Sequence, residues 1–236
     1  MSKLNLYMLN LSFFKLNEVS LPLHVESKLK EFKSEKRKLE YAASRWLRYH
    51  IFSELLRIDQ AALVFSEDDN LRPFLVNDKR YDFNISHSGN WLMMAVIENG
   101  KVGIDIEKLD DTRSNCAIAE AFFSQEEAIF LNQLASLEQL AYFYLIWTLK
   151  EARLKCTGEG IANGLKEVIF SFKDRKILPK DKACLYQYIS FRLDQNHLGS
   201  ICLKSDISIK QKMINCYQIQ KDKNSIEYKL DVIKQS

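Results

Sequence analysis

The spacing of apolar and polar residues predicts two long helices and a series of strands. Apolar residues recur at helical spacing over 35–57, after Ser34 as the N-cap, and again near 139–155. Between and after these helices, β-favouring runs are bounded by turn residues. The predicted strands cover 5–14, 63–65, 81–85, 91–97, 101–107, 166–172, 184–193, 199–203 and 214–220.

Local turn and cap signals add detail to this pattern. Ser124 followed by Glu127 is a capping box and predicts a helix that starts at about Gln125. Residues 86–90 are predicted to form a polar turn, and Asn99 with Gly100 a two-residue hairpin turn. A long helix followed by several strands occurs twice along the chain, so we expect an α+β fold made of two similar halves that meet near residues 103–110.

Composition limits the class of protein without identifying it. The 236 residues include 47% hydrophobic and 28% charged residues, which predicts a folded globular chain. The net charge of +3 is too small for a nucleic-acid-binding arm. The five cysteines are scattered without metal-site spacing, no leader is evident, and the apolar runs are too short for a membrane span. We therefore expect free thiols and a soluble, cytoplasmic protein.

Two carboxylates share one face of the predicted strand 101–107. Side chains alternate along a strand, so Asp105 and Glu107 point to the same side as Gly103, opposite Ile104. Their oxygens can converge on one hard cation, and Gly103 leaves room for a bulky ligand. An edge strand with a solvated polar face is the structural alternative.

Basic and hydroxyl-bearing residues occur at three further places. The turn that contains Ser86 and His87 suits phosphate oxygens, although an ordinary loop would explain it equally. Arg37 and Arg45 lie on one side of the first long helix, where a solvated surface is the alternative. Arg72 precedes a proline and is predicted to be extended.

The second long helix carries charged residues that follow an apolar run. Residues 142–149 are apolar almost all round, which predicts a largely buried helix. Lys150 and Glu151 are adjacent, and Lys155 lies one turn beyond Glu151 on the same face. A glutamate and a lysine at this spacing usually form a surface salt bridge, but in a buried helix both charges need partners.

Three segments in this order resemble the motifs of the phosphopantetheinyl transferases, specifically the larger pseudodimeric type. They are NISHSG at 84–89, GIDIE at 103–107 and WTLKEARLK at 147–155, with Arg72 before the first and Arg37, Glu40 and Arg45 on the preceding helix. The resemblance implies two lobes related by pseudo-twofold symmetry, each a small antiparallel sheet packed on a long helix. The lobes would span 1–104, which contacts the nucleotide, and 105–236, which holds the metal, the catalytic helix and the docking surface.

The resemblance also implies a reaction and a metal. The phosphopantetheine arm of coenzyme A would be transferred to a serine hydroxyl of an apo acyl, peptidyl or polyketide carrier protein, with release of adenosine bisphosphate. Family members bind Mg²⁺ through the residues that correspond to Asp105, Glu107 and Glu151, which are hard oxygen donors. Glu151 would remove the serine proton, directly or through a bound water, and Lys155 would neutralise the leaving group.

The remaining implied roles concern coenzyme A and the carrier protein. Implied contacts to coenzyme A come from Arg37, Arg45, Arg72, Ser86, His87, Lys150 and Lys155, with His87 also counted among the catalytic residues. Phe122, Phe123 and residues 158–187 correspond to the docking region for an acidic carrier, although both phenylalanines could belong to the core. A monomer would suffice, because both halves of the site come from one chain.

Two other functions are compatible with the same residues. A Mg²⁺-dependent phosphodiesterase or nuclease would use paired carboxylates and a lysine, but it needs a nucleic-acid track that the weak positive charge does not supply. A non-catalytic module that binds coenzyme A or carrier proteins would not require a third carboxylate.

Overall fold

The computed structural model describes residues 3–112, 115–160, 164–173, 176–180, 185–205, 213–220, 222 and 224–235. The helices in these residues are α1 Leu23–Leu29, α2 Glu35–Leu56, α3 Asn115–Phe122, α4 Gln125–Asn132 and α5 Ser136–Thr157. The strands are β1 Leu4–Asn10, β2 Phe65–Glu67, β3 Pro73–Leu75, β4 Tyr81–Ser88, β5 Trp91–Glu98, β6 Lys101–Lys108, β7 Phe170–Lys173, β8 Lys176–Pro179, β9 Gln187–Asp194, β10 His197–Lys204, β11 Ile214–Ile219, β12 Ser225–Glu227 and β13 Asp231–Gln235.

The two predicted long helices are present, and their caps explain where they begin and end. The Ser34 hydroxyl accepts a hydrogen bond from the Arg37 amide at the start of α2, and the capping box of Ser124 and Glu127 opens α4. Helix α5 ends at Gly158, whose φ of 74° favours glycine. Within the described residues, no helix combines the length and apolar character that a membrane crossing requires.

The strands form two main sheets. The first has the order β12-β11-β1-β5-β4, and the second has the order β13-β9-β10-β6. In the first sheet β11 runs parallel to β1, whereas the resemblance implied a purely antiparallel sheet. The sheets do not divide between residues 104 and 105, because β6 crosses this position and β11 and β12 return to the first sheet. The predicted twofold relation between lobes stays a prediction.

Two predicted turns differ in the structure. Ser86 and Ser88 belong to β4, which continues through the predicted polar turn and leaves only Gly89 and Asn90 between β4 and β5. The turn at Asn99 and Gly100 does connect β5 to β6, but these strands lie in different sheets and do not form a hairpin pair. The reason is that β6 pairs with β10 instead.

Three apolar clusters hold the layers together. One lies between α2 and one face of the first sheet, where Trp46, Leu47 and Phe52 meet Leu9 and Leu92. A second lies between the two sheets and joins Leu6, Met93, Ile104 and Ile201. A third packs α5, with Ile146 and Leu149, on the other face of the second sheet. The layer order is therefore helix, sheet, sheet, helix.

Polar side chains on the edge strand β4 pair with the backbone of the edge strand β6. Asp82, Asn84, Ser86 and Ser88 accept hydrogen bonds from the amides of alternate β6 residues, Val102, Ile104, Ile106 and Lys108, at 2.8–3.3 Å. These amides point away from β10 and would otherwise be unpaired in a partly buried position. We call this row of hydrogen bonds the seam.

Arg72 strengthens one end of the seam. Its guanidinium makes a bidentate ion pair with Asp82 at 2.7 and 2.8 Å and also donates to the carbonyls of Val102, Phe83 and Lys155. The side chains of Arg72 and Asp82 are only 10% and 6% exposed. This buried pair ties β4, β6 and α5 together.

The described cysteines Cys116, Cys156, Cys202 and Cys216 are free thiols, as predicted. Cys184 lies outside the described residues.

Replacing Asp82 with alanine should destabilise the fold by about 3 kcal/mol or more, because it leaves a buried arginine and the Val102 amide without their acceptor. Urea denaturation of both proteins measures the change in the free energy of unfolding. Asp78→Ala is the control, since its partner Arg80 is 61% exposed and that pair should contribute far less. Equal effects of the two substitutions would contradict a stabilising role for the seam.

Candidate active site

The strand β6 and the helix α5 bring the predicted carboxylates and Lys155 together. A Cβ atom on Gly103 would overlap the backbone of Ala152 and Cys156, so α5 lies directly against β6 at this glycine. Glu151 and Lys155, on the face of α5 turned to β6, therefore lie beside Asp105.

Asp105 is the centre of a hydrogen-bond network. It is 3% exposed, and its Oδ1 accepts from the Ser86 hydroxyl at 2.9 Å and from Lys155 Nζ at 2.6 Å. Its Oδ2 is buried and has no hydrogen-bond partner among the described residues. The neighbouring carboxylate, Glu107, accepts from the Ser88 hydroxyl at 2.9 Å. The seam thus orients both carboxylates of β6.

The electrostatics of this cluster favour a protonated glutamate. Burial, and then repulsion by Asp105, raise the pKa of Glu151 from 4.5 to about 7; Glu107 adds to the rise, and Lys155 opposes it. Burial lowers the pKa of the Lys155 ammonium, but the attraction of Asp105 and Glu151 outweighs burial and raises it above its ordinary value. Glu151 can therefore exchange a proton near neutral pH, whereas Lys155 stays charged.

The chemistry of these carboxylates suits a hard divalent cation, although they do not form a closed cluster. Among the described residues, no three His, Cys, Asp or Glu side chains are close enough to hold a metal ion together. Lys155 Nζ lies 2.6 Å from Asp105 and 4.0 Å from Glu151, so its ammonium already neutralises part of the site. The unpaired Asp105 Oδ2 and the mutual repulsion of the acids are the features that a cation would satisfy.

A cavity of about 440 Å³ lies between α2 and β4 and contains the predicted basic residues of the first half. We call it the arginine cavity. Its lining residues are Phe32, Arg37, Glu40, Tyr41, Ser44, Arg45, Arg48, Glu67, Leu71, Pro73, Asn84, Ile85 and His87. Arg37, Arg45 and His87, which are predicted to contact coenzyme A, all line this cavity, and the contacts themselves stay predictions.

Two guanidinium groups in this cavity are suited to an anion. Arg45 lies 3.8 Å over the Tyr41 ring and donates to Ser44, and Arg48 lies 4.6 Å over the Phe65 ring. The Nε atoms of Arg45 and Arg48 are buried and without a hydrogen-bond partner among the described residues. Burial, together with the charge of Arg45, lowers the pKa of Arg48 to about 10. A phosphate would satisfy both donors and relieve the repulsion.

A second cavity, of about 340 Å³, adjoins the arginine cavity and reaches the C-terminal end of α5. It is lined by Arg72, Leu154, Lys155, Gly158 and Gly160 and shares Leu71, Pro73 and Asn84 with the arginine cavity. The two cavities therefore form one groove that runs from the arginines on α2 to Lys155 on α5.

Two predicted ligand contacts are wrong because the side chains are committed elsewhere. Lys150 is fully buried, forms an ion pair with Glu127 at 2.8 Å, and donates to the carbonyls of Leu165 and Val168. Its ammonium is enclosed by these partners and does not line either cavity of the groove. Arg72 uses its guanidinium in the seam and contributes to the wall of the groove without a free donor fork.

Ser86 and His87 have separate roles, because neighbouring residues of a strand face opposite sides. The Ser86 hydroxyl donates to Asp105 and accepts from the Ile106 amide and from Lys155 Nζ. Its hydrogen and both lone pairs are used, so it positions Asp105 and Lys155 and does not have the predicted free contact to phosphate. His87 lines the arginine cavity, 3.7 Å from Glu40, and its catalytic role stays a prediction.

The two phenylalanines of the predicted docking region differ in exposure. Phe123 is buried and stacks on Phe143, so it belongs to the core. Phe122 is 44% exposed. Residues 161–163, 174–175 and 181–184 of the predicted docking segment lie outside the described residues.

Sequence reasoning did not include Arg48 among the candidate ligand contacts and did not identify Asp82 as the anchor of the seam. Arg48 follows Arg45 by three residues on α2, so helical spacing from Arg45 could have found it. No comparable signal identifies Asp82, because its partners Arg72 and Val102 become neighbours only in the folded chain.

Comparison with protein-family models gives two matches that together span most of the chain. The model described as the 4'-phosphopantetheinyl transferase superfamily matches residues 101–203. The model described as 4'-phosphopantetheinyl transferase, N-terminal, matches residues 12–99.

Comparison with individual proteins also finds similarity to 4'-phosphopantetheinyl transferases. The chain is 30% identical over 183 residues to the 4'-phosphopantetheinyl transferase psf-1 of Bacillus pumilus, covering 75% of this chain and 76% of that protein. It is 30% identical over 166 residues to the 4'-phosphopantetheinyl transferase HetI of Nostoc sp., covering 69% and 70%. It is 37% identical over 108 residues to the 4'-phosphopantetheinyl transferase gsp of Aneurinibacillus migulanus, covering 46% and 44%.

The raised pKa of Glu151 predicts a pH-dependent loss of stability. Between pH 4.5 and 7 the unfolded chain releases the Glu151 proton while the folded chain retains it, so stability falls as pH rises, by about 3 kcal/mol at most. In buffer without divalent cations, Glu151→Gln should therefore be more stable than the wild type at pH 8. This difference should disappear near pH 4.5, as measured by urea denaturation at both pH values. Glu120→Gln, on the exposed side of α3, is the control; a constant Glu151→Gln difference at all pH values would contradict the prediction.

Proposed function

Because this chain belongs to the 4'-phosphopantetheinyl transferase superfamily, we propose that it transfers the 4'-phosphopantetheine arm of coenzyme A to a serine hydroxyl of an apo carrier protein, with release of adenosine 3',5'-bisphosphate. The observation that carries the proposal is the groove that runs from two arginines with unpaired Nε donors to Lys155, whose ammonium pairs with Asp105 of the buried acid cluster. A substrate with a phosphate at one end and a reactive diphosphate further along matches these two charged regions.

The arginine cavity orients coenzyme A in this proposal. The unpaired Nε donors of Arg45 and Arg48 bind the ribose 3'-phosphate, with Arg37 and His87 at the same cavity. The diphosphate then lies at the other end of the groove, beside Lys155 and Asp105. Holding both ends fixes the phosphorus atom for attack by the incoming serine.

During transfer, Glu151 accepts the proton of the serine hydroxyl, and Lys155 stabilises the negative charge of the leaving group. The serine oxygen attacks the phosphorus that carries the pantetheine arm while its proton moves to Glu151, whose pKa of about 7 suits a base at neutral pH. The bond from this phosphorus to the bridging oxygen of the diphosphate breaks, and the electron pair leaves with adenosine 3',5'-bisphosphate. The Lys155 ammonium stabilises the added negative charge on that leaving group.

Asp105, Glu107 and Glu151 are the residues that would hold Mg²⁺ in this proposal. The supporting observations are their oxygen donors, the unpaired Asp105 Oδ2 and the mutual repulsion of the acids. When bound, the ion would supply positive charge to the diphosphate and to the departing phosphate.

We place the carrier protein at exposed apolar residues of the segments that correspond to the docking region of the family. Phe122 on α3 and Leu178 on β8 are 44% and 40% exposed, and Leu185 is 51% exposed. Exposed apolar side chains of this kind suit contact with the helix of a carrier that presents its serine to the groove.

The direct test is to mix the purified protein with coenzyme A, Mg²⁺ and a panel of apo acyl, peptidyl and polyketide carriers. We expect the intact mass of at least one carrier to increase by one phosphopantetheine group. No mass increase on any carrier would contradict the proposal. Release of adenosine bisphosphate without a carrier would instead favour a phosphodiesterase.

Asp105→Ala and Glu151→Ala should each lower the transfer rate by at least about 100-fold, because they remove charge stabilisation or the base. Circular dichroism should show that both variants remain folded, and the rate is measured by the same mass assay. Glu120→Ala removes an exposed carboxylate from α3 and should transfer at the wild-type rate. Wild-type rates in the Asp105 and Glu151 variants would exclude these residues from the chemistry.

Mg²⁺ should stabilise the folded protein independently of turnover. At about 100 times its dissociation constant it should raise the melting temperature by about 5–10 °C at pH 8. The shift should be smaller below pH 6, where Glu151 is protonated, and EDTA should reverse it. Differential scanning fluorimetry of the wild type and Asp105→Asn makes the comparison. An equal shift in both proteins would show that Mg²⁺ binds elsewhere.

A further inference from the structure

Two cysteines flank Gly103 at the contact between α5 and the second sheet. Cys202 on β10 is paired directly with Gly103 on β6, so its side chain points to the face of the sheet to which a Gly103 side chain would point. A Cβ atom on Gly103 would lie 2.4 Å from the Cys156 nitrogen and 3.0 Å from the Cys156 Cα atom. Cys156, in the last turn of α5, therefore lies directly above Gly103 and beside Cys202.

This arrangement brings the two cysteines within the range of a disulfide bond. Directly opposed residues of antiparallel strands have Cα atoms about 4.5–5.5 Å apart, and a disulfide spans about 4.4–6.8 Å between Cα atoms. Both side chains belong to the apolar cluster between α5 and the second sheet, where Cys156 is 3% and Cys202 0% exposed. The close contact at Gly103 thus brings together two free thiols from distant parts of the chain.

The two thiols have opposite acid–base properties. A hydrogen bond from Cys202, together with the charges of Arg72 and Arg153, lowers the pKa of Cys156, although burial opposes this effect. Burial raises the pKa of Cys202, and the same hydrogen bond adds to the rise. Since the thiolate is the reactive form of cysteine, Cys156 is suited to react with an oxidant and Cys202 to react with the oxidised Cys156.

We propose that Cys156 and Cys202 form a redox site that a hydroperoxide converts reversibly into an intramolecular disulfide. The disulfide links the last turn of α5, next to Lys155, covalently to β10. This chemistry is separate from the proposed transfer reaction and does not depend on it.

The oxidation takes place in two steps. The Cys156 thiolate attacks one oxygen of the hydroperoxide and the O–O bond breaks, so that the sulfur is oxidised to a sulfenic acid and the other oxygen is reduced and leaves as an alcohol or as water. The Cys202 thiol then attacks the sulfenic sulfur, and its proton leaves with the hydroxyl group as water. A small thiol reductant restores both cysteines by thiol–disulfide exchange. Because the last turn of a helix opens more readily than its interior, a small oxidant can reach Cys156.

Cys216 provides a matched control. It is also buried, but burial raises its pKa to about 12, and its thiol donates to Met8 Sδ at 3.4 Å. It belongs to the cluster between the two sheets, whereas Cys156 and Cys202 belong to the cluster around α5. Cys216 is therefore not expected to form a disulfide in the folded protein.

Oxidation of the folded, full-length protein with hydrogen peroxide tests the proposal. After the remaining thiols are blocked and the protein is digested with trypsin, mass spectrometry should find peptides 156–166 and 193–204 joined by a disulfide that dithiothreitol reduces. Absence of the joined peptides would overturn the inference, and so would their formation only in protein unfolded by urea. Irreversible oxidation of Cys156 without a link to Cys202 would also overturn it.

The disulfide should also change thermal stability. Because it closes a long loop in the unfolded chain, it should raise the melting temperature by about 5–10 °C relative to the reduced protein. Cys156→Ala and Cys202→Ala should each abolish this rise, whereas Cys216→Ala should retain both the rise and the joined peptides. Circular dichroism checks that the reduced variants are folded. A rise on oxidation that persists in Cys156→Ala or Cys202→Ala would contradict the assignment of the redox site.

Discussion

The seam between β4 and β6 is the interaction on which the rest of the structure depends. An edge strand normally leaves every second amide without a backbone partner, and here four side chains of the neighbouring sheet accept from those amides. This arrangement fixes the position of one sheet against the other at the level of single residues. The same side chains reach the acid cluster, because Ser86 also binds Asp105 and Ser88 also binds Glu107.

The groove concentrates charge that the protein alone does not neutralise. Near one end, burial and the repulsion of Asp105 raise the pKa of Glu151 to about 7, and at the other end, Arg45 and Arg48 retain unpaired Nε donors. Both arrangements cost stability in the absence of a ligand. The rigid parts around them, which are the seam, the Arg72–Asp82 pair and the packing of α5 on Gly103, hold these groups in place despite that cost.

Two adjacent charged residues of α5, Lys150 and Glu151, have different partners. Burial lowers the pKa of the Lys150 ammonium, and its ion pair with Glu127 opposes this effect. Lys150 thereby joins α5 to the segment before β7, through the carbonyls of Leu165 and Val168. The next residue, Glu151, faces Asp105 instead. Adjacent charged residues therefore support the architecture on one side and the candidate chemistry on the other.

The sequence by itself determined the features that depend on local spacing. The cap of α2 at Ser34, the capping box at Ser124, and the shared face of Asp105 and Glu107 follow from residues a few positions apart. The order of the motifs also identified the family before any coordinates. Only the tertiary structure decided that β6 pairs with β10 and not with β5, that β11 lies parallel to β1, and that Arg72 and Lys150 are bound within the protein. These outcomes depend on partners far apart along the chain, and a residue's own sequence neighbourhood cannot specify which distant group satisfies its charge or its backbone amide.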